Sequence, residues 1–245
     1  MNISESDTTQ KILIIAEIGQ NHNGEMEIAK KLISAAKEEG ADIAKFQLYD
    51  VDTIFSPSFE WYKEAKEAQL SKEQVVKLAD WCEKVGIEFM TSVFDPERVW
   101  WCEEIGVKCY KIASRSIYDK ELIDAIARTG KDIIASLGMY QGKEFPKIDT
   151  YGKVDFLYCV SKYPTLPEDL NFLEVDFNRY SGFSDHTIGI EAALVAMARG
   201  AKIIEKHFTL DKKMHGPDHI ISMERQELRQ MVEFSRKFEV ILYHP

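Results

Sequence analysis

The chain has 245 residues, with 31 Lys and Arg against 41 Asp and Glu, a formal net charge of −10. Apolar residues make up 45% and aromatics 11%, enough to bury a sizeable core and offset ordering entropy, which excludes a disordered chain. The acidic balance argues against a nucleic-acid binder, which needs a basic face. It also means that an anionic substrate would need positive charge concentrated at one place.

Met1 to Gln10 is polar and lacks the basic start and apolar core of a signal peptide, so residues 1–10 read as a polar leader. The apolar run from Ile12 to Ala16 is too short to span a bilayer, and no membrane association is expected. From residue 11 onward one pattern recurs: a helical stretch ends in Gly and a short apolar strand follows. It happens at Gly40, Gly86, Gly106, Gly130 and Gly200. Glycine just past a helix tolerates the left-handed cap conformation. Start signals match: Ser71 with Gln74 forms a capping box, and Asp95 precedes Pro96 at the first helical position. Helical apolar stripes run through Met26, Ala29, Leu32, Ile33 and Ala36, through Ile190, Ala193, Leu194 and Met197, and through the final stretch from Leu228 to Phe238.

Strands are expected near 12–18, 42–47, 87–93, 108–113, 132–137, 154–159, 180–184 and 202–207. Eight strands alternating with helices in this length fit a single-domain α/β fold, a (β/α)8 TIM barrel over 11–245. The alternative is an open doubly wound sheet. That fold usually carries G-x-G-x-x-G after its first strand, and Glu17 to Gly24 does not match it. Cys82, Cys102, Cys109 and Cys159 have no C-x-x-C spacing, so zinc and redox motifs are unsupported; buried reduced thiols in the cytoplasm are expected.

Barrel chemistry lies at the C-terminal ends of strands. Those ends carry Glu17; Lys45 and Gln47; Thr91 and Ser92; Lys111 and Ser114; Ser136; Ser161 and Tyr163; Ser184, Asp185 and His186; Glu205, Lys206 and His207. One polar loop means little, but eight polar strand ends point to a convergent site. Lysine inside an apolar parallel strand is costly unless it faces a polar cavity, so Lys45 and Lys111 are expected to form a local positive well for a phosphate or carboxylate. His186 and His207 end adjacent strands about 4.8 Å apart, so both imidazoles can meet one ion, with Glu205 and Asp185 nearby. Imidazole, carboxylate and water ligation suits Mn²⁺, with Mg²⁺ or Co²⁺ as alternatives. His22, His215 and His219 read as loop histidines, and His244 as a surface residue.

Several of these stretches resemble the sialic acid synthase (N-acetylneuraminate synthase) family: Ala16 to Gly24 (AEIGQNHNG), Lys45-Phe46-Gln47, Lys111 to Ser114 (KIAS), Tyr163-Pro164-Thr165 with Glu168-Asp169, Phe183 to Thr187 (FSDHT), Glu205 to Thr209 (EKHFT) and Gly216-Pro217-Asp218. The resemblance runs in order from about residue 12 to 238. It implies a (β/α)8 barrel and a transferase that condenses phosphoenolpyruvate with N-acetylmannosamine or a related 2-acetamido sugar and water, giving a nonulosonic acid and phosphate. It implies that Lys45, Lys111, Ser114, Ser136 and Ser184, with Thr91 or Ser92 and with Ser161, hold phosphoenolpyruvate. His186 and His207 match metal ligands, usually of Mn²⁺. Gln47, Tyr163, Glu205 and Asp218 match the sugar pocket. Glu17 matches a carboxylate near the reacting carbons, and Glu17, Glu205 and Lys111 form the catalytic set.

The sequence departs from the family in places. The small C-terminal antifreeze-like domain that usually follows the barrel finds no room in residues 11–245, so a homo-oligomer or a separate chain covering the barrel mouth, a different substrate, or a shortened chain is expected. Arg115 stands where a small or acidic residue is usual and is a candidate sugar-binding cation. Ser161 stands where asparagine is frequent. The alternatives are a related phosphoenolpyruvate–aldose phosphate synthase, for which Arg115 and Lys162 are the candidate phosphate-binding cations, and a non-catalytic barrel acting as a binding partner.

Overall fold

A helix that carries the chain back along the sheet makes the next strand parallel to the last, and eight such returns close the sheet on itself. The computed structural model describes residues 11–243, so the leader and His244 lie outside the described residues. Its strands are β1 (Leu13–Gly19), β2 (Ile43–Leu48), β3 (Glu88–Val93), β4 (Cys109–Ile112), β5 (Asp132–Ser136), β6 (Val154–Cys159), β7 (Gly182–Asp185) and β8 (Ile203–His207). They pair in sequence order, all parallel, and β1 pairs with β8 to close the barrel. The helices are α1 (Met26–Glu38), α2 (Val51–Ile54), α3 (Tyr62–Glu67), α4 (Lys72–Val85), α5 (Pro96–Ile105), α6 (Lys120–Ala127), α7 (Glu191–Ala198) and α8 (Arg225–Tyr243).

The local signals act as expected. Ser71 and Gln74 form the reciprocal capping box of α4, and the Asp95 side chain accepts from the Arg98 amide at the start of α5. Gly86 and Gly106 end those two helices with φ of 75° and 72°, where a side chain would be strained. Two returns depart from strict β/α alternation. The β5–β6 connection forms no helix, and β6–β7 has only 3₁₀ turns at Pro167–Asp169 and Phe172–Glu174. Gly138, Gly142, Pro146 and Gly152 in the first, and Pro164 and Pro167 in the second, explain this, because both residue types disfavour helix interiors. Aromatic rings cover the sheet there instead: Phe145 lies 4.8 Å from Phe156 and Phe172 lies 5.1 Å from Phe183, centroid to centroid.

Alternation along the strands sorts the side chains into two cores. Outward residues such as Ile14, Ala44, Phe89 and Ile204 pack against the helices. Inward residues Ile15, Ile43, Met90, Ile134, Leu157 and Ile203 fill the barrel with one apolar layer. Two residues further along each strand, towards the C-terminal mouth, the inward positions change character. They are Glu17, Lys45, Ser92, Lys111, Ser136, Cys159, Ser184 and Glu205. Period two thus places a polar layer directly on an apolar one. Of the four cysteines, all free, Cys82, Cys102 and Cys159 are buried and Cys109 is half-buried. Among the described residues no helix is long and apolar enough to cross a membrane.

Candidate active site

The polar layer holds four charges in contact. Lys45 Nζ lies 2.7 Å from Glu17 Oε2 and 3.5 Å from Glu205 Oε2. Lys111 Nζ lies 3.5 Å from Glu205 Oε1. Hydroxyls complete the ring: Lys45 donates to Ser92 Oγ at 3.1 Å, Lys111 to Ser136 Oγ at 2.7 Å, and Ser184 to Glu205 Oε1 at 2.8 Å. Gln47 Nε2 donates to Glu17 Oε1 at 2.7 Å. A Cβ at Gly19 would come within 3.2 Å of both Gln47 Nε2 and Glu17 Oε1, so the bare glycine leaves room for that bond.

Both lysines and Glu17 are only 2% exposed, so this electrostatic balance is set inside the barrel. Burial works against the charge on Lys45, but Glu17 and Glu205 outweigh it and hold its pKa above the ordinary lysine value. At Lys111 burial wins and lowers the pKa; Glu205 offsets part of this, and Lys45 adds repulsion. Burial pushes Glu205 up, yet the two ammoniums and the Ser184 hydroxyl more than reverse it and hold the carboxyl below the usual range. The expected positive well is therefore not what the lysines form: two ammoniums meet two carboxylates and the set is neutral. Strand-end residues alone do not reveal this, because the pairings run across strands.

Polar satisfaction points to the same place. Among the described residues five buried side-chain polar atoms lack a hydrogen-bond partner: Glu17 Oε2, Glu205 Oε2, Ser161 Oγ, His207 Nδ1 and Arg98 Nε. All but the last belong to this layer or its rim. Glu17 Oε2 meets the Lys45 ammonium closely but at an angle too poor for a hydrogen bond. Native interiors rarely leave such groups unpaired, so a cluster of them marks groups available to a ligand.

His186 and His207 follow at the ends of β7 and β8, with ring centroids 5.8 Å apart. His186 Nδ1 lies 3.0 Å from Val160 O, a carbonyl that can only accept, so Nδ1 is the donor and Nε2 is the nitrogen turned to other partners. His207 Nδ1 is buried and unpartnered, 3.8 Å from Asp218 Oδ2. Two imidazoles on one side of the mouth, His207 with its Nδ1 unpartnered, fit a divalent cation. Among the described residues no group of three or more His, Cys, Asp or Glu side chains is arranged to hold a metal, so the protein would offer an open set of two. Asp185, expected near the histidines, turns outward from the barrel into a pair with Lys206.

Above the layer lies a cavity of about 790 Å³. Gln47, Ser114, Arg115, Ser161, Tyr163, His207 and Asp218 line it, so the expected sugar-side residues converge, apart from Glu205 in the floor below. The Tyr163 ring packs at a tilt against His186, centroids 4.2 Å apart. Arg115 donates to Ile54 O at 2.8 Å and sits over the Phe55 ring, so it also ties the α2 segment to the mouth. Lys162, the second cation considered for a sugar phosphate, pairs with Asp169 at 2.5 Å and does not line the cavity. A separate hollow of about 400 Å³ beside α1, lined also by Trp81, Leu210 and Arg225, contains no strand-end polar group.

One expected residue is out of phase. Thr91 lies between the inward Met90 and Ser92, so it faces the helical layer, and its hydroxyl donates to Ser92 O at 3.0 Å. Ser92 is the β3 residue of the site. Ser114 accepts from the Gly138 amide at 2.9 Å, and a Cβ on Gly138 would come within 2.5 Å of Ser161 Oγ, so this glycine keeps the rim open. Sequence reasoning missed Cys159, whose Sγ lies 3.8 Å from His186 Nδ1; period two from the inward Leu157 was the signal for it. It also missed the aromatic wall of Phe55, Phe59, Trp61 and Phe94, which comes from loops without periodicity.

Comparison with known proteins agrees with the barrel fold. Residues 32–244 match the model of the NeuB family. The N,N'-diacetyllegionaminic acid synthase of Legionella pneumophila is 35% identical, over 98% of this chain and 76% of that protein. The human N-acetylneuraminate-9-phosphate synthase is 33% identical, over 95% of this chain and 71% of that protein. The crystal structure of the N-acetylneuraminic acid (sialic acid) synthetase of Leptospira borgpetersenii, solved with citrate, superposes with a TM-score of 0.89 at 32% identity, covering 100% of this chain and 90% of that one. With its barrel, its charged interior layer and a family match over most of its length, the chain belongs to the NeuB family.

Proposed function

We propose that this protein condenses phosphoenolpyruvate with a 2-acetamido hexose and water, giving a nonulosonic acid and inorganic phosphate. The observation that carries the reading is the polar interior layer, where Lys45, Lys111 and three serine hydroxyls face one another, all of them buried at the floor of the mouth cavity. A small anion bearing both phosphate and carboxylate needs that donor set. The synthases of Legionella and human origin support the same class of reaction.

In this reading Lys45 with Ser92, and Lys111 with Ser136, bind the anion, and Ser114, Ser161 and Ser184 add hydroxyl donors. C3 of phosphoenolpyruvate bonds to the aldehyde carbon of the open-chain sugar, whose oxygen takes a proton. Water adds at C2 and loses one proton. The C2–O bond to phosphate then breaks with its electron pair going to the phosphate, while the new C2 hydroxyl loses its proton to become the carbonyl. The two protons end on the sugar oxygen and the released phosphate. Glu17 accepts the proton from the water. Glu205 is held ionised by the two lysines, so it can move a proton at the sugar oxygen only once the anion has drawn those ammoniums away. Gln47, Tyr163, Asp218 and Arg115 orient the sugar. His186 and His207 would hold a divalent cation, Mn²⁺ first and Mg²⁺ or Co²⁺ as alternatives, which when bound polarises the aldehyde as a Lewis acid. Among the described residues Arg115 is the single lysine or arginine lining the cavity, which favours an unphosphorylated acceptor over a sugar phosphate. A cytoplasmic place of action fits the free thiols.

Phosphate release from phosphoenolpyruvate, measured with Mn²⁺ and a panel of 2-acetamido sugars with and without a terminal phosphate, tests the proposal. Release that requires one acceptor of the panel is expected. Tight phosphoenolpyruvate binding with no release on any acceptor would overturn it in favour of a binding protein.

A further inference from the structure

His207 still pairs with Glu17 of β1, but between β7 and β8 the two histidines stand just past the last ladder pair. Strand β7 is four residues long, and its pairing with β8 ends at Asp185 opposite Lys206. His186 lies one residue past that last pair, and His207 one residue past Lys206 on the other strand. Backbone pairing therefore does not by itself fix the gap between the imidazoles.

Side chains do. Asp185 and Lys206 face away from the barrel interior, and both side chains are 0% exposed. Lys206 Nζ donates to Asp185 Oδ2 at 3.0 Å and to Thr187 O at 2.6 Å. Asp185 Oδ1 accepts from the Thr187 amide and the Thr187 hydroxyl, each at 2.8 Å. The bracket thus grips the chain on both sides of His186 and ties it to the residue before His207. It carries the cross-strand connection two residues beyond the ladder.

Stability alone gives no reason for it. An ion pair taken wholly out of water loses much of its attraction to desolvation, and a well-packed apolar pair of similar volume is often as stable or more so. What an apolar pair lacks is direction: it cannot fix the Asp185–Thr187 turn at one angle to β8.

We propose that Lys206 and Asp185 are positioning residues that set the spacing of His186 and His207, and so the affinity of the mouth for a divalent cation. The inference rests on reading those histidines as the cation site. The pair touches neither cation nor substrate and acts through the imidazoles.

The test uses the full chain. Mn²⁺ affinity is measured by calorimetry or by the loss of the free-ion paramagnetic resonance signal, phosphoenolpyruvate affinity without metal by calorimetry, and folding by circular dichroism. The double variant Asp185→Leu with Lys206→Met replaces the bracket by an apolar pair and leaves no lone buried charge. We expect it to fold and to bind Mn²⁺ about tenfold or more weakly, the size of loss usual when groups supporting a ligand are removed. Its phosphoenolpyruvate affinity should match the parent. Parental Mn²⁺ affinity in the folded double variant, or an equal loss of both affinities, overturns the proposal. If the double variant does not fold, Thr187→Val, which deletes one donor to Asp185, replaces it: a loss of about threefold or more in Mn²⁺ affinity is expected, and none overturns it. His207→Ala separates the two readings, since parental Mn²⁺ affinity there refutes the histidine site itself.

Discussion

Lys111→Met tests the anion site most directly. The substitution removes a cation and keeps much of the stem that fills the barrel. Lys111 Nζ stands 2.7 Å from Ser136 Oγ and 3.5 Å from Glu205 Oε1, and the residue is 2% exposed. Two unit charges at that separation attract by about 5 kcal/mol at an effective dielectric of about 20. A phosphate or carboxylate oxygen replacing Glu205 beside the same ammonium would gain a similar amount. The net effect is smaller, because the anion must first compete with Glu205 for the lysine. Truncating one partner of a buried hydrogen-bonded charge pair costs about 2–5 kcal/mol, and that competition places Lys111 in the lower part of the range. Phosphoenolpyruvate should therefore bind about 30- to 300-fold more weakly to the variant. Calorimetric titration with and without Mn²⁺, on protein shown to be folded by circular dichroism, measures it. Affinity within twofold of the parent would remove Lys111 from the anion site and the reasoning with it.

Other outcomes follow from the same geometry. Gly138→Ala should keep the fold but lower the rate of phosphate release about tenfold or more, since small displacements at a reacting site are costly; its Cβ would sit 2.5 Å from Ser161 Oγ and 2.9 Å from Cys159 Sγ. Unchanged steady-state rates would show that the rim relaxes freely. Glu39 accepts from Arg225 Nε at 2.7 Å and Arg229 Nε at 2.6 Å and clamps α8 to α1. Both arginines are largely exposed, so solvent screens the clamp, and Glu39→Gln should cost about 1 kcal/mol and a few degrees in melting temperature. Equal melting curves would show the clamp to be idle. Burial lowers the His22 pKa from 6.5 to about 4, so the native state holds it neutral while the unfolded chain takes up a proton below pH 6.5. Its contribution is complete above pH 6.5 and falls by about 1.4 kcal/mol per unit as the pH drops towards 4. Urea unfolding at pH 7.5, 5.5 and 4.5 should show that decline in the parent and a smaller one in His22→Gln; parallel declines would refute it.

The barrel was legible because its signals are local and repeated. Gly86 and Gly106 end helices in the left-handed conformation, and Ser71 and Asp95 start them, each through bonds within a few residues. The strand ends were legible for the same reason. Their facing was less so, because it turns on a single step of register: Thr91 and Ser92 have similar chemistry, and only Ser92 shares a face with Met90. Cys159 was overlooked through the same kind of parity error. Contacts between distant segments were not legible at all. Arg115 to Ile54 and His215 to Glu64 join segments far apart in the chain, whose approach depends on the closed barrel.

The neutrality of the charged layer explains how an acidic protein can keep cations at its centre. Two lysines alone in an apolar barrel would each face a desolvation penalty and repel one another, and the usual outcome is loss of a proton. Lys111 already leans that way. Glu17 and Glu205 prevent it by supplying counter-charge from neighbouring strands. The net charge of −10 contributes little, since salt screens exposed charges beyond about 8 Å. An anion is thus recognised by exchange rather than by a standing positive potential. It must offer the lysines better partners than two carboxylates whose outer oxygens lack hydrogen bonds. Phosphate and carboxylate on one small molecule meet that condition, because together they can satisfy both ammoniums and the serine hydroxyls at once. A singly charged anion can answer only one lysine and leaves the other with its carboxylate. The paired arrangement therefore keeps the barrel stable and favours multivalent anions through the same four side chains.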